Sequence, residues 1–271
     1  MTGEAAADRR LFRITGADRE RFLQGLVTSD VRRLKDGIVY AALLTPQGKY
    51  LADFFLVPDG EGILLDVRDT LAEGLVRRLA LYRLRADVTI APAPVGVLRG
   101  LGAAPPGAFA DPRDPALGWR LYTAAPGGPP VIAWDAIRVE RLIPETGVEL
   151  VPEETYILEA GFERLNGVDF RKGCYVGQEV TARMKHRAEL RRGLVRVALA
   201  GPVDPGTAIL SDGRPAGTLF TRAGDRALAV LRLDRTGGAL TAGGVALRAE
   251  LPPGEAPQAA APTAGLPPGS G

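Results

Sequence analysis

From Leu194 onward the chain alternates short apolar runs with glycine and proline turns, giving runs at 194–199, 207–210, 216–220, 227–233 and 245–251. Short, evenly spaced strands of this kind predict a small β-barrel or sandwich, with a boundary to the preceding region near 191–193. The first half is patterned differently. Residues 38–44 and 50–57 read as strands joined through Pro46-Gln47-Gly48, the turn chemistry of a hairpin, and 63–67 is a further strand. Residues 69–83 place Leu71, Leu75, Leu79 and Tyr82 on one helical stripe, and 85–91 returns to strand. Residues 14–25 predict a short helix, opened by Thr15 and Asp18 in a capping-box arrangement and stopped by Gly25. Helices and hairpins in this order predict an α+β fold and not a doubly wound parallel sheet.

Residues 91–130 hold nine prolines and predict mostly loop, with short strands at 95–98 and 119–122. A helix over 133–141 follows, then a loop at 153–163 leading into another short helix. The last residues, 253–271, are mostly proline, glycine and alanine without periodicity, the composition of a disordered tail.

One cysteine and one histidine exclude an internal disulfide framework and a Cys/His zinc site, and no metal is expected to be held by this chain alone. No apolar run reaches the roughly 18 residues of a membrane helix, so no membrane partner is expected. The N-terminal MTGEAAADRR has acids and no apolar core of a secretory signal, which makes the cytoplasm the default location. Neither a GxGxxG nor a Walker loop is present. Net charge is only +2, yet 171–196 carries eight Lys/Arg against two Glu, a local +6. A basic patch on a near-neutral chain suits a discrete anionic ligand better than a polyanion. A solvated face is the competing reading, because arginine outnumbers lysine 30 to 4. An RNA-binding role is disfavoured: the basic run lacks interleaved aromatics and any RNP- or KH-type motif.

The most informative segment is 165–187, LNGVDFRKGCYVGQEVTARMKHR. It surrounds Cys174 with Lys172, Gly173, Tyr175 and Gly177. Two glycines four residues apart permit a tight turn or a close approach to a ligand. Basic neighbours favour thiolate over thiol, so Cys174 and Lys172 are the candidate reactive pair; the competing reading is a small buried apolar cysteine. His186 reads as a solvated member of the basic run.

Lys172-Gly173-Cys174-Tyr175-Val176-Gly177-Gln178-Glu179 resembles the K-G-C-[YF]-x-G-Q-E signature of the YgfZ-type folate-binding proteins, relatives of the aminomethyltransferase (T-protein) of the glycine cleavage system. Phe22-Leu23-Gln24-Gly25 with Thr28-Ser29-Asp30 is similar to that family's N-terminal F-L-Q-G-x-x-T-x-D element, and Gly48-Lys49-Tyr50-Leu51-Ala52-Asp53 to its hairpin. Tyr82 to Val88 and Trp134 to Glu140 resemble its Y-x-L-R-x-x-V and W-x-x-x-R-x-E elements. The resemblance spans residues 11–190 in the family's order.

It implies an aminomethyltransferase-like fold: residues 1–190 as two interleaved α+β subdomains around a central channel that binds folate, and 191–252 as a C-terminal β-barrel. It further implies tetrahydrofolate as cofactor. The function implied is support of iron–sulfur cluster assembly or repair in client proteins, tRNA-modifying enzymes among them. Client or cluster-assembly proteins are the expected partners, nucleic acid is not, and a thiol step is expected at Cys174. The cofactor contacts expected are Trp134 for ring stacking, Glu140 as acceptor of pterin N–H donors, Arg138, Tyr175 and Gln178, with Arg183 and Arg187 for the anionic glutamate tail. Gly173, Gly177 and Glu179 complete the motif. A folate-dependent aminomethyl or one-carbon transferase is the alternative. Against it, true aminomethyltransferases carry D-F-[IL]-G-[RK] where this chain has Cys174 to Gln178, and Asp69 and Glu73 are out of register with their folate-side aspartate.

Overall fold

The computed structural model describes residues 3–186 and 190–250; the tail expected at 253–271 lies outside them. Two antiparallel sheets and a barrel organise the chain. The five-stranded sheet runs in the order Val39–Leu44, Tyr50–Asp59, Gly62–Arg68, Arg9–Thr15, Thr89–Pro92. The four-stranded sheet runs Glu4–Ala5, Gly96–Gly100, Trp119–Thr123, Phe109–Ala110. The chain starts in the four-stranded sheet, builds the five-stranded one and returns, so the two α+β units are interleaved.

Strand alternation splits the five-stranded sheet between two cores. Ala52, Phe54 and Leu56 pack with Phe22 and Leu23 of helix α1 (Arg19–Gln24) and with Leu75 and Leu79 of helix α2 (Asp69–Arg83). Phe55 and Val57 face the opposite core, together with Tyr40, Ile157 and Phe162. A register shift between Leu43 and Leu44 interrupts the pairing with the neighbouring strand. Across it Tyr50 joins the second core, although it shares parity with Ala52. Tyr50 and Asp53 therefore meet on one side of the sheet.

The α+β class is that expected, and the details differ in places. The first helix is shorter than 14–25, because Ile14 and Thr15 extend the strand Arg9–Thr15. The chain reverses at Gly16 (φ +106°), where an added Cβ would lie 2.1 Å from the Asp87 carbonyl oxygen. Asp18 does not cap its own helix; its carboxylate accepts from the Asp87 N–H at 2.9 Å. That cross-link holds residues before Thr89 out of the sheet, so the strand expected from 85 begins late. Residues 153–163 form turns and no helix.

The barrel is closed, in the order Arg192–Leu199, Arg226–Arg232, Arg214–Ala223, Ala208–Ser211, Leu240–Ala242, Val245–Glu250. Closure removes exposed sheet edges, and Val195, Ile209, Leu219 and Leu231 fill the interior. Helix α3 (Trp134–Arg141) joins barrel to body: Val139 packs against Leu194 and Leu228. Helix α4 (Gln178–His186) directly follows the glycine-flanked cysteine.

Candidate functional site

Between the two sheets, closed by α3 and the loop that follows it, lies a cavity of about 480 Å³. Its walls are charged and almost every charge is partnered. Asp66, buried behind the wall, accepts from Arg9 Nε at 2.6 Å, Arg120 at 2.6 Å and the Tyr122 hydroxyl at 3.0 Å. Burial pushes the Asp66 carboxyl up, but the Arg9 and Arg120 charges outweigh it and hold the pKa below the ordinary value. Arg113 grips Asp111 at 3.0 and 2.8 Å. Arg138 bridges Asp135, Glu145 and Glu149 at 2.7, 2.7 and 2.6 Å. Arg68 pairs with Asp8 at 3.0 Å and with Glu145.

Two cavity groups stand apart. Among the described residues Asp53 has no arginine partner; it is held by hydroxyls. Tyr50 donates to Oδ1 at 2.7 Å, Tyr40 to Oδ2 at 3.0 Å, and Thr146 also donates to Oδ1. Burial, then the Asp53 charge, pushes both phenol pKa values up, so both stay donors. A carboxylate has about four acceptor positions, which leaves one on Oδ2. The second is Arg99. Its guanidinium carbon sits 4.5 Å over the Trp134 ring, and among the described residues it makes no hydrogen bond or ion pair and its Nε is buried without a partner.

Of the residues expected to bind a cofactor, Trp134 and Arg138 line this cavity. They are four apart on α3 and share a face. Buried Glu4 fixes the indole, accepting its N–H at 2.6 Å and also the backbone N–H groups of Val131 and Ile132. Glu140 lies six positions after Trp134, well over a turn round the helix, and does not reach the cavity. It bonds Arg196 at 3.0 Å and Arg226 at 3.1 Å, fastening α3 to the barrel. Of the carboxylates that line the cavity, Asp53 is the one without an arginine partner among the described residues. Asp69 and Glu73 pair with Arg10 on the surface.

The cysteine motif lies apart from the cavity. Lys172, Cys174, Tyr175, Gln178 and Arg183 are not among the cavity's lining residues. Lys172 is buried and donates Nζ to the Gln24 carbonyl at 2.6 Å, while Gln24 Nε2 donates to the Lys172 carbonyl at 3.1 Å. Burial lowers the Lys172 pKa to about 8, against the opposing pull of Asp30, Asp169 and Cys174. Its ammonium lies 4.9 Å from the centre of the buried Tyr175 ring, and burial raises that phenol to about 12. Cys174 itself is exposed, not a buried apolar filler. Gly177 (φ +83°) seats the loop on the 45–48 hairpin turn: an added Cβ would lie 2.5 Å from the Thr45 carbonyl oxygen. Gln178 and Glu179 open α4.

The basic stretch is not a patch facing the cavity. Arg183 pairs with Glu179 at 3.2 Å, Lys185 with Glu163 at 2.6 Å, and Arg196 with Glu140 and Glu250. Arg187 lies outside the described residues. Among those described, no cluster of three His, Cys, Asp or Glu side chains forms a metal site, and no helix is long and apolar enough to cross a membrane. Sequence reasoning missed Asp53, Gln24, Arg99 and Glu149 as site residues. The first two lay inside quoted motifs, and the last two carried no local signal.

Residues 191–255 match the family described as CAF17, C-terminal beta-barrel domain. The human iron–sulfur cluster assembly factor IBA57, mitochondrial, is 32% identical, covering 86% of this chain and 78% of the human protein. The IBA57 homologue of Pyricularia oryzae is 33% identical over 72% of this chain, which spans 57% of that protein's length. Among solved structures, the glycine cleavage system aminomethyltransferase T from Bartonella henselae superposes with a TM-score of 0.64 at 15% identity, covering 92% of this chain and 84% of that one. The fold is thus that of the aminomethyltransferases with a closed C-terminal barrel.

The relatives named are mitochondrial proteins, and this overturns the cytoplasmic location expected above. That expectation rested on the lack of an apolar leader. Organelle-targeting segments are amphipathic and basic, not apolar, so that criterion does not separate the compartments.

Proposed function

Because the chain belongs to the family of iron–sulfur cluster assembly factors that includes IBA57, we propose that it serves iron–sulfur cluster assembly or repair in client proteins, tRNA-modifying enzymes among them, with tetrahydrofolate held in the central cavity and a thiol step at Cys174. The observation that carries the reading is the cavity: about 480 Å³ between the sheets, with one open acceptor position at Asp53 and the half-buried Trp134 face at its edge. These groups fit a reduced pteridine. Asp53 accepts a pterin ring N–H, Trp134 stacks on the aminobenzoyl ring that follows it, and the paired arginines hold the wall rigid. Folate, when bound, supplies a reduced one-carbon-carrying ring.

At the second site Cys174 gives up its thiol proton, to solvent or to the neutral Lys172 amine, and its thiolate takes the place of one of the partner's thiolate ligands on iron of a client's cluster; the displaced thiolate leaves with a proton from solvent. The cluster is cargo, held jointly with the partner. Lys172 suits the role because its pKa of about 8 keeps it largely cationic beside a thiolate yet able to exchange a proton.

In a deletion strain, Cys174→Ser and Trp134→Ala variants should both fail to restore iron–sulfur enzyme activity while accumulating as folded protein. Full rescue by the serine variant refutes the thiol step, and full rescue by the alanine variant refutes the folate requirement.

One observation favours a second reading, a folate-dependent aminomethyl or one-carbon transferase: Asp53 puts a carboxylate on the cavity wall. Release of methylenetetrahydrofolate from an aminomethyl-lipoyl carrier supports that enzyme; no turnover with folate bound supports the accessory role.

A further inference from the structure

We propose that Arg99 receives the carboxylate of the cavity ligand's tail, so that the cavity selects a planar ring joined to a carboxylate-bearing chain over the bare ring. This rests on the reading of the cavity as a reduced-pteridine site and adds which end of the ligand lies where.

Among the described residues the cavity wall carries six arginines, and five are committed. Arg9 and Arg120 hold Asp66, Arg113 holds Asp111, Arg68 holds Asp8 and Glu145, and Arg138 holds Asp135, Glu145 and Glu149. Among the described residues Arg99 has only the Trp134 face. The carboxylates in its neighbourhood are Glu4, Asp8 and Glu145. Glu4 is taken by the Trp134 indole and two backbone N–H groups, and the other two by Arg68. Burial works against the charge on Arg99 and lowers its pKa, yet a guanidinium remains protonated at neutral pH. A cation left like this is stabilised by an incoming anion more than one already paired. Its planar fork of N–H donors matches a carboxylate with two parallel bonds.

Position assigns the ligand's ends. The lining runs from buried residues, Asp53 and Arg120, to the partly exposed Arg99, Trp134 and Asp8, so the first pair marks the inner side of the cavity and the second group its mouth. An uncharged ring gains most at the inner end, and a charged tail is least penalised at the mouth. The basic stretch expected to meet this tail spends Arg183, Lys185 and Arg196 on its own and neighbouring glutamates.

The test is calorimetric titration of the full chain, Arg99→Met and Arg99→Lys with two probes: tetrahydrofolate, and 6-methyltetrahydropterin, which lacks the aminobenzoyl-glutamate tail. The wild type should bind tetrahydrofolate more tightly. Arg99→Met should lose about ten- to hundredfold for tetrahydrofolate and stay within about twofold for the bare ring, with Arg99→Lys between. Should the methionine variant misfold, the lysine variant and the salt dependence of wild-type tetrahydrofolate affinity carry the test. Equal loss for both probes, or no loss for either, overturns the assignment while leaving the pteridine reading standing. Binding of neither probe to the wild type overturns both.

Discussion

Gln24 and Lys172, 148 positions apart, hydrogen-bond each other twice: Lys172 Nζ reaches the Gln24 carbonyl at 2.6 Å and Gln24 Nε2 reaches the Lys172 carbonyl at 3.1 Å. Gln24 Oε1 also accepts from the Val31 N–H at 2.8 Å, and Thr28 donates to the Gly167 carbonyl at 2.6 Å. The F-L-Q-G element and the K-G-C element are thus two halves of one support. They hold an exposed sulfur in place outside the cavity.

Lys172 makes stability depend on alkaline pH. Its folded pKa of about 8 lies below the ordinary 10.5. Below pH 8 it is protonated in both states, and its burial opposes folding. Between about 8 and 10.5 the unfolded chain keeps a proton that the folded chain has released, so folding strengthens as pH rises. In urea titrations the stability of the wild type relative to Lys172→Met should rise from pH 7.5 to pH 10. A flat difference contradicts the assignment.

Asp53→Asn turns one carboxylate oxygen into an N–H₂ donor, set against the Tyr40 hydroxyl in one amide orientation and against the Tyr50 and Thr146 hydroxyls in the other, all of them donors to Asp53. Stability should fall by about 1–3 kcal/mol, and tetrahydrofolate affinity by about tenfold or more. A variant as stable as wild type, with unchanged affinity, shows that the hydroxyls reorient freely and that this carboxylate touches no ligand.

Glu149 couples cavity to barrel. One oxygen accepts from Arg138 at 2.6 Å; the other accepts from the Thr221 hydroxyl at 2.5 Å. Removing one partner of a buried pair costs about 3–5 kcal/mol; Asp135 and Glu145 remain on Arg138, which puts Glu149→Ala at the low end. Thr221→Val should cost about 1–2 kcal/mol and add almost nothing in the Glu149→Ala background. Full additivity in chemical denaturation contradicts the coupling.

How much of this was legible beforehand follows from where the interactions lie. The hairpin of 38–57, helix α2 and most barrel strands are specified by local periodicity and turn residues. Helix α3 showed itself, but which of Trp134, Arg138 and Glu140 meets the cavity depends on what packs on each face. Asp53 was inside a quoted motif, yet its role required knowing that Tyr40 and Thr146 lie beside it. Helix α4 was hidden because Gly173 and Gly177 read as a ligand loop, whereas Gly177 makes room for the 45–48 turn. Arg99 could not be singled out among 30 arginines until its neighbours' partners were known.

The central claim is that ligand binding and sulfur chemistry occupy different places on this chain. Calorimetric titration of tetrahydrofolate into wild type, Cys174→Ser and Trp134→Ala tests it most directly. One equivalent should bind to the wild type and to the serine variant with affinities within about twofold, and the alanine variant should bind about ten- to hundredfold more weakly. No saturable binding to the wild type, or loss of binding on replacing the sulfur alone, would contradict it.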